Sequence, residues 1–125
     1  MKKKILVVDD SATLRASVNY TLKEAGFETI NAVNGVDGLE KLNQAMKNGD
    51  QIGMIISDIN MPVMDGITFI QEVKKTPFKF TPILVLTTES QEEMKMKGKK
   101  AGASGWLVKP FKPEQLVYVT NKFMR

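Results

Sequence analysis

The chain lacks cysteine and histidine altogether among its 125 residues. Without thiols it can form neither a disulfide nor a thiolate metal site. Without imidazoles it has no Ser-His-Asp catalysis and no imidazole-ligated zinc. It also has no histidine that could accept a phosphoryl group, so any phosphohistidine chemistry has to involve a partner. The reactive groups that remain are carboxylates, hydroxyls and lysines.

Long hydrophobic runs are missing as well. The lysines near the amino terminus are followed by only the short apolar run 5–8, which is too short for a signal peptide. No run is long enough to cross a bilayer. We therefore expect a cytoplasmic protein that does not associate with membranes.

The excess of positive charge is small, with 18 basic and 14 acidic side chains and a net charge of +4. Part of it lies in the lysine-rich stretch 95–100, which has no interleaved aromatic residue. This pattern is typical of a solvated lysine face and does not indicate nucleic-acid binding. The length predicts a single domain over residues 1–125, with no room for an output domain.

Short apolar runs alternate five times with segments of helical spacing. The strand-like runs are 5–8, 29–33, 52–56, 83–86 and 105–108. Several are apolar on both faces, as the central strands of a parallel sheet require. Glycines end three of the helices, at Gly26, Gly49 and Gly102.

The starts of three helices also carry signals. Asp65 is placed to cap the third helix, and Ser90-Gln91-Glu92-Glu93 has the pattern of a capping box opening the fourth. Pro113 suits the first turn of the fifth.

Strands that alternate with single helices predict an α/β fold in which helices cover both faces of a parallel sheet. Five strands make a small open sheet, because a closed β/α barrel needs about twice this length. In open sheets of this kind, ligands bind at the carboxyl ends of the strands. The residues that end the strands are therefore the place to look for a site.

Polar side chains end four of the predicted strands. Asp9 and Asp10 follow the first, and Asp58 follows the third. If these strands are neighbours, three carboxylates converge and need a cation, and ligands that are all oxygen favour Mg²⁺. Thr87 ends the fourth strand and Lys109 the fifth, which adds a hydroxyl and an ammonium to the same edge. Each residue alone has a structural explanation, but their coincidence predicts a site.

Four spaced motifs carry a resemblance to a known family. Asp9-Asp10, the run 58–66 (Asp-Ile-Asn-Met-Pro-Val-Met-Asp-Gly), Thr87 and Lys109-Pro110-Phe111 resemble the receiver domains of response regulators, and single-domain chemotaxis regulators most of all. The resemblance covers nearly the whole chain. It implies a (βα)5 flavodoxin-like, three-layer fold with strand order 2-1-3-4-5.

The resemblance also implies roles for residues at the phosphorylation site. Asp58 matches the phosphoacceptor. Asp9, Asp10, Asp58 and the backbone carbonyl of Asn60 match the Mg²⁺ ligands. Lys109 matches the lysine that contacts the phosphoryl group.

Further residues match positions that respond to the phosphoryl group. Thr87 matches the hydroxyl that moves to bind it, whereas Asn60 and Glu89 match the positions that tune dephosphorylation. Trp106 falls at the switch position, where the family commonly has Tyr or Phe. Its indole is larger and lacks a phenolic hydroxyl, so a switching role and a half-buried strand aromatic both remain open.

The function implied is that of a stand-alone response regulator of a two-component phosphorelay, with chemotaxis as the expected setting. It would be a phosphoacceptor that assists its own phosphorylation and dephosphorylation, and not an enzyme acting on a separate substrate. The expected partners are a sensor histidine kinase of the CheA type and a protein target on the face of the fourth helix, fifth strand and fifth helix, with the flagellar motor switch as one candidate. We expect a monomer.

Three other functions share parts of this pattern. A flavodoxin needs a hydroxyl-rich phosphate loop after the first strand, where Asp9 and Asp10 would repel phosphate. A phosphatase of the haloacid dehalogenase type needs Asp-x-Asp after that strand and a cap domain, and neither is present in the sequence. A receiver-like docking module that works without phosphate normally loses an acidic residue, the threonine or the lysine, and here all are intact.

Overall fold

Five strands and five helices alternate along residues 3–124, the part of the chain that the computed structural model describes. The strands are β1 (Lys4–Val8), β2 (Glu28–Ala32), β3 (Ile52–Ser57), β4 (Ile83–Thr87) and β5 (Gly105–Val108). The helices are α1 (Ala12–Glu24), α2 (Gly35–Asn48), α3 (Gly66–Val73), α4 (Glu92–Ala101) and α5 (Pro113–Phe123). The strands are parallel in the order β2-β1-β3-β4-β5, which confirms the predicted fold.

Two hydrophobic clusters cover the two faces of the sheet, because successive side chains of a strand point to opposite faces. In β1, Leu6 and Val8 belong to the cluster under α2 and α3, whereas Ile5 and Val7 belong to the cluster under α1 and α5. All four side chains are at most 1% exposed. β1, an interior strand of the sheet, is thus buried on both sides, as its continuous apolar run predicts.

The register of the sheet aligns the carboxyl ends of the strands. Val8 pairs with Ser57 across β1 and β3, and Thr87 pairs with Val108 across β4 and β5. The residues after β1, β3 and β5 continue the pairing, as when the Asp58 N–H donates to the Val8 carbonyl at 3.1 Å and the Lys109 N–H to the Thr87 carbonyl at 2.7 Å. The polar residues that end the strands therefore lie along one edge.

Most of the predicted helix ends are confirmed. Gly49 and Gly102 end α2 and α4 in left-handed conformations, with φ of +75° and +119°. The Asp65 carboxylate accepts a hydrogen bond from the Thr68 N–H and so caps α3, and α5 begins at Pro113. None of the helices in residues 3–124 is long and apolar enough to cross a membrane.

The predicted capping box at the start of α4 is wrong. Gln91, not Ser90, occupies the N-cap position, and its side chain makes no capping hydrogen bond within the described chain. The preceding loop uses its polar groups otherwise, because the Glu89 carboxylate accepts a hydrogen bond from the Gln91 N–H at 3.2 Å. The side chain of Glu89 therefore holds the loop in place of Ser90.

Candidate functional site

The carboxyl ends of β1, β3 and β5 bring two aspartates to one lysine. The Lys109 ammonium lies 3.1 Å from Asp58 Oδ2 and 3.3 Å from Asp9 Oδ2. The two carboxylates are almost buried, with side chains 10% and 5% exposed, and the lysine side chain is 17% exposed. An ion pair with so little solvent contact is screened weakly, so the lysine holds both carboxylates in a defined position.

Asp9 is the most buried member of this group, at 3% exposure. Burial raises its pKa above the ordinary value and the charge of Asp58 adds to that rise, whereas the Ser11 N–H and the Lys109 ammonium oppose it. The Ser11 N–H donates to Asp9 Oδ1 at 2.9 Å. The Arg15 guanidinium donates to the backbone carbonyl of Asp9. Neither contact was predicted from the sequence, although an aspartate commonly accepts a hydrogen bond from the backbone N–H two residues further on.

Asp9, Asp10 and Asp58 form the acidic cluster that the sequence predicted. Each offers a carboxylate oxygen, and these oxygens lie within 4.8 Å of one another. Asp10 is exposed, whereas the other two are buried. Hard oxygen donors with one side open to solvent fit a hydrated divalent cation such as Mg²⁺, which keeps several of its waters. The residues present therefore fit the implied metal.

The Asp58 side chain is held in one orientation by its own loop. Its Oδ1 accepts hydrogen bonds from the Ile59 N–H at 2.6 Å and the Asn60 N–H at 3.3 Å, while Oδ2 meets Lys109. Asn60 is exposed, and its predicted contribution through the backbone carbonyl stays a prediction. At the end of this loop the chain returns so close to Asp58 that only glycine fits at position 66. A Cβ there would lie 2.1 Å from the Asp58 carbonyl oxygen.

Thr87 and Trp106 meet at the peptide groups of Glu89. Thr87 is fully buried, and its hydroxyl accepts a hydrogen bond from the Glu89 N–H at 3.2 Å. The Trp106 indole N–H donates to the Glu89 carbonyl at 2.9 Å. The indole is half-buried against the core and lies over Gly98 of α4, where a Cβ would come within 2.6 Å of the ring. Trp106 is therefore a half-buried strand aromatic that also contacts the loop after β4.

The loop between β3 and α3 contains a strained residue that sequence analysis did not identify. Val63 has φ of +71°, and the Met64 N–H donates to the Pro62 carbonyl at 2.7 Å. A hydrogen bond from residue i+2 to residue i with a positive φ between them describes a rare, strained γ-turn. A β-branched residue is unfavourable in this conformation, so its sequence gave no signal for the turn.

Comparison with known proteins gives a consistent result. A family model described as the response regulator receiver domain matches residues 5–121. The chain is 39% identical over 115 residues to the chemotaxis protein CheY1 of Helicobacter pylori, with 90% of each chain covered. It is 38% identical over 123 residues to the sensor histidine kinase CheAY of the same species, a match that covers 97% of this chain but only 15% of the kinase.

Solved structures agree with the sequence relatives. The structure of the chemotaxis protein CheY4 of Vibrio cholerae matches with a TM-score of 0.88 at 46% identity, over 98% of this chain and 99% of that one. A putative response regulator from Chloroflexus aurantiacus matches with a TM-score of 0.84 at 36% identity, over the whole of both chains. Because the family model and these relatives cover nearly all of the chain, it belongs to the response regulator receiver domain family, as the receiver domain of a CheY-like response regulator.

Proposed function

We propose that this chain is a chemotaxis response regulator that accepts a phosphoryl group on Asp58 from a histidine kinase and thereby changes its binding to a protein target. The observation that carries the proposal is the Lys109 ammonium, which lies between Asp58 and Asp9 at the edge of the sheet. The relatives support the setting, since two of them are named as a chemotaxis protein and a sensor histidine kinase.

Asp58 is the nucleophile in this proposal. An oxygen lone pair of its carboxylate forms the new bond to phosphorus, while the P–N bond of the donor's phosphohistidine breaks and its electron pair returns to the imidazole. The amides on Oδ1 fix the carboxylate, so that Oδ2 is the oxygen directed at the lysine. Positioning of this kind and positive charge supply most of the catalysis in phosphoryl transfer.

Lys109 and the acidic cluster supply the positive charge. The ammonium neutralises an oxygen of the incoming phosphoryl group while it remains close to Asp58. Asp9, Asp10 and Asp58, with the backbone carbonyl of Asn60, would hold Mg²⁺, which when bound supplies further positive charge against the phosphoryl oxygens. In this function the chain is the phosphoacceptor and promotes its own modification, with no separate substrate to turn over.

The response is proposed to pass from Thr87 to α4. An acyl phosphate adds about two negative charges and new hydrogen-bond acceptors beside Asp58. When the Thr87 hydroxyl turns towards it, the hydroxyl loses its bond from the Glu89 N–H, and the Glu89 carbonyl that holds Trp106 shifts with it. The loop between β4 and α4 then changes position. Glu89 and Asn60 also lie where they can influence water near the acyl phosphate.

The target is proposed to bind the face formed by α4, β5 and α5. Met96 and Tyr118 are 62% and 65% exposed on these helices. Lys95 and Lys99 line a depression of about 210 Å³ beside Trp106. Exposed apolar side chains among lysines suit an acidic partner with some apolar surface. A kinase of the CheA type and the flagellar motor switch are the proposed partners.

The test is the intact mass of the protein after incubation with acetyl phosphate, with and without Mg²⁺. We expect a single Mg²⁺-dependent, hydroxylamine-labile phosphoryl adduct that peptide mapping places on Asp58. Asp58→Asn should remove the adduct and keep the circular dichroism spectrum. Asp50→Asn is the matched control. Asp50 lies just before β3, at the amino ends of the strands and away from Asp58, where it pairs with Lys4. Its replacement should leave the adduct unchanged.

Lys109→Ala separates the metal site from signalling. It should retain Mg²⁺ binding, since the acidic cluster remains, and lose phosphorylation-dependent target binding. The unaltered protein provides the decisive result. If it is folded and binds Mg²⁺ but gains no adduct from acetyl phosphate, the proposal is contradicted and a docking module that works without phosphate is favoured.

A further inference from the structure

We propose that the groove between α3 and α4 is a second docking surface, and that it binds an acidic segment of a partner protein. The groove has a volume of about 470 Å³ and is lined by Ile67, Gln71, Lys74, Lys97, Lys100 and Ala101. Because successive helical residues are turned by about 100°, Lys97 and Lys100 lie on the side of α4 opposite to Lys95 and Lys99, which line the depression beside Trp106. The inference concerns binding alone and does not depend on phosphorylation of Asp58.

The lining of the groove carries positive charge that the chain itself does not balance. Three of its six lining residues are lysines, and none of the six is acidic. Within residues 3–124, Lys74 and Lys100 form no ion pair, and Lys97 has only a loose one, 3.7 Å from Glu93. A concave surface with charge of one sign attracts groups of the opposite sign, so the groove favours carboxylates.

Lys74 is the lysine in this groove with the least hydration. Its alkyl stem packs on Gly102 at the end of α4, where a Cβ would lie 2.5 Å from the Lys74 Cε. Burial lowers the pKa of its ammonium, which donates a hydrogen bond to the uncharged carbonyl of Lys79 at 2.9 Å. A carboxylate beside Lys74 would offset the lost hydration, so this part of the groove favours an acidic ligand.

The floor of the groove indicates that the ligand is a protein segment. Ile67 and Ala101 are half-buried and pack against the core. Ile67 also reaches towards α4, because its Cδ1 would lie 3.7 Å from a Cβ at Gly98. A segment that alternates acidic and apolar side chains matches both the lysines and this floor. A nucleic acid matches less well, since none of the six lining residues is an aromatic on which a base could stack.

Binding in the groove would also tie α4 to α3. α3 is anchored in the core, whereas α4 buries only Gly98 among its residues, all of which are described. A segment that contacts Lys74 after α3 and Lys100 on α4 would hold the two helices together. We therefore expect it to reduce local opening of α4.

The experiment is an NMR titration of the full chain with a synthetic peptide of sequence Asp-Leu-Glu-Asp-Leu-Glu and blocked ends. We expect saturable chemical-shift changes centred on the amides of Ile67, Gln71 and Ala101, and weaker binding as salt is added. The same peptide with Asn and Gln in place of its acidic residues should not bind. At saturation with the acidic peptide, amide hydrogen exchange should become slower in α4.

Two double variants with the same change in charge locate the site. Lys97→Gln with Lys100→Gln should weaken binding of the acidic peptide about fivefold, because each lysine near the surface contributes a small favourable interaction. Lys97→Arg with Lys100→Arg should bind as the unaltered protein does. Lys95→Gln with Lys99→Gln removes two charges from the opposite side of the same helix and should leave the affinity unchanged at about 0.15 M salt.

Three outcomes would overturn the inference. Absence of saturable binding at millimolar peptide would show that the groove is not a docking surface. Equal weakening by the two glutamine variants would show that binding follows net charge and not the groove. Equal shifts at the same amides with sodium sulfate in place of the peptide would show that the lysines hold small anions and do not recognise a protein segment.

Discussion

The helices α3 and α4 follow the two strands that carry Asp58 and Thr87, and they are attached to the sheet in different ways. α3 buries Phe69, Ile70 and Val73 completely and is capped by a side chain at its start. α4 has one buried position among its residues 92–101, all of them described, and that position is Gly98.

The ion pairs of α4 do not compensate for its smaller number of buried side chains. Its lysine–glutamate pairs at Lys95 and Lys97 have N–O distances of 3.8 and 3.7 Å. Apart from the half-buried Lys95, their side chains are exposed, and pairs near the surface contribute little. The helix after Asp58 is therefore fixed by the core, whereas the helix after Thr87 rests on the surface. The proposed function needs both, because one helix must position the chemistry while the other moves at low cost.

The largest effect is expected where α3 enters the core. Phe69→Ala should lower the free energy of unfolding by about 4 kcal/mol, because it removes a fully buried ring that packs against Gly38 of α2. Urea denaturation measures the change. Met94→Ala is the matched substitution in α4 and should cost about 1 kcal/mol, since that side chain is only partly buried. Similar losses in the free energy of unfolding for the two variants would contradict the conclusion that α3 is held by the core more strongly than α4.

The second effect concerns the close contact between Gly98 of α4 and the Trp106 ring. Gly98→Ala should destabilise the protein by about 1.5 kcal/mol, although alanine favours helices, because the new Cβ would lie 2.6 Å from the Trp106 ring. In a Trp106→Leu background the same substitution should become neutral or stabilising. The double-mutant cycle, measured by denaturation, gives the coupling between the two residues. A cost that persists without the indole would show that the helix itself, and not the ring, rejects the Cβ.

A smaller effect is expected at the cap of α3. Asp65→Ala should cost about 1 kcal/mol at neutral pH. Burial raises the pKa of Asp65, but hydrogen bonds from the Thr68 N–H and hydroxyl outweigh it, so its pKa lies below the ordinary 3.8. A carboxyl with a lowered folded-state pKa contributes its stability above about pH 4 and loses it as the pH falls further.

Denaturation of the Asp65 variants between pH 7 and pH 2 tests this dependence. The difference between Asp65→Ala and the unaltered protein should narrow as the pH falls below 4. Asp65→Asn keeps a capping oxygen that does not titrate. The stability of this variant should therefore lose less as the pH falls below 4, because it has no Asp65 carboxylate to protonate. A difference for Asp65→Ala that stayed constant down to pH 2 would argue against capping by the carboxylate.

The smallest effect is expected at the start of α4. Gln91→Ser should supply the missing cap and stabilise the helix by about 0.5 kcal/mol. Amide hydrogen exchange is the suitable measurement. In Gln91→Ser, exchange should become slower in α4 and stay the same in α3. Gln91→Ala offers no capping oxygen and should leave exchange in α4 as fast as before.

The fold could be predicted from the sequence because its hydrophobic pattern and its strand ends agree. The predicted run 105–108 has the bounds of β5, and the run 29–33 differs from β2 by one residue at each end. Of the candidate site, the placing of Asp9, Asp10, Asp58 and Lys109 at one edge followed from the same pattern. Parallel strands of similar length bring such residues together whatever their distance along the chain.

Two local features could not be predicted, each because a nearby contact overrides a local preference. The residue pattern at Ser90 favours a helix N-cap, but the Glu89 side chain instead accepts a hydrogen bond from the Gln91 N–H in this loop. Valine disfavours a positive φ, but the closed loop between Asp58 and Gly66 imposes one on Val63. In both cases the deciding contact is set by how the loop folds back, which a pattern of residue types does not record.

The hydrogen bond between Trp106 and the Glu89 carbonyl also gives the protein an optical property. Trp106 is the sole tryptophan of the chain, so its fluorescence is unmixed with that of any other indole. Indole emission shifts in colour and intensity when its N–H gains or loses a partner or meets water. Any event that moves Glu89 away from the indole is therefore visible as a change in light output, in real time and without an attached dye.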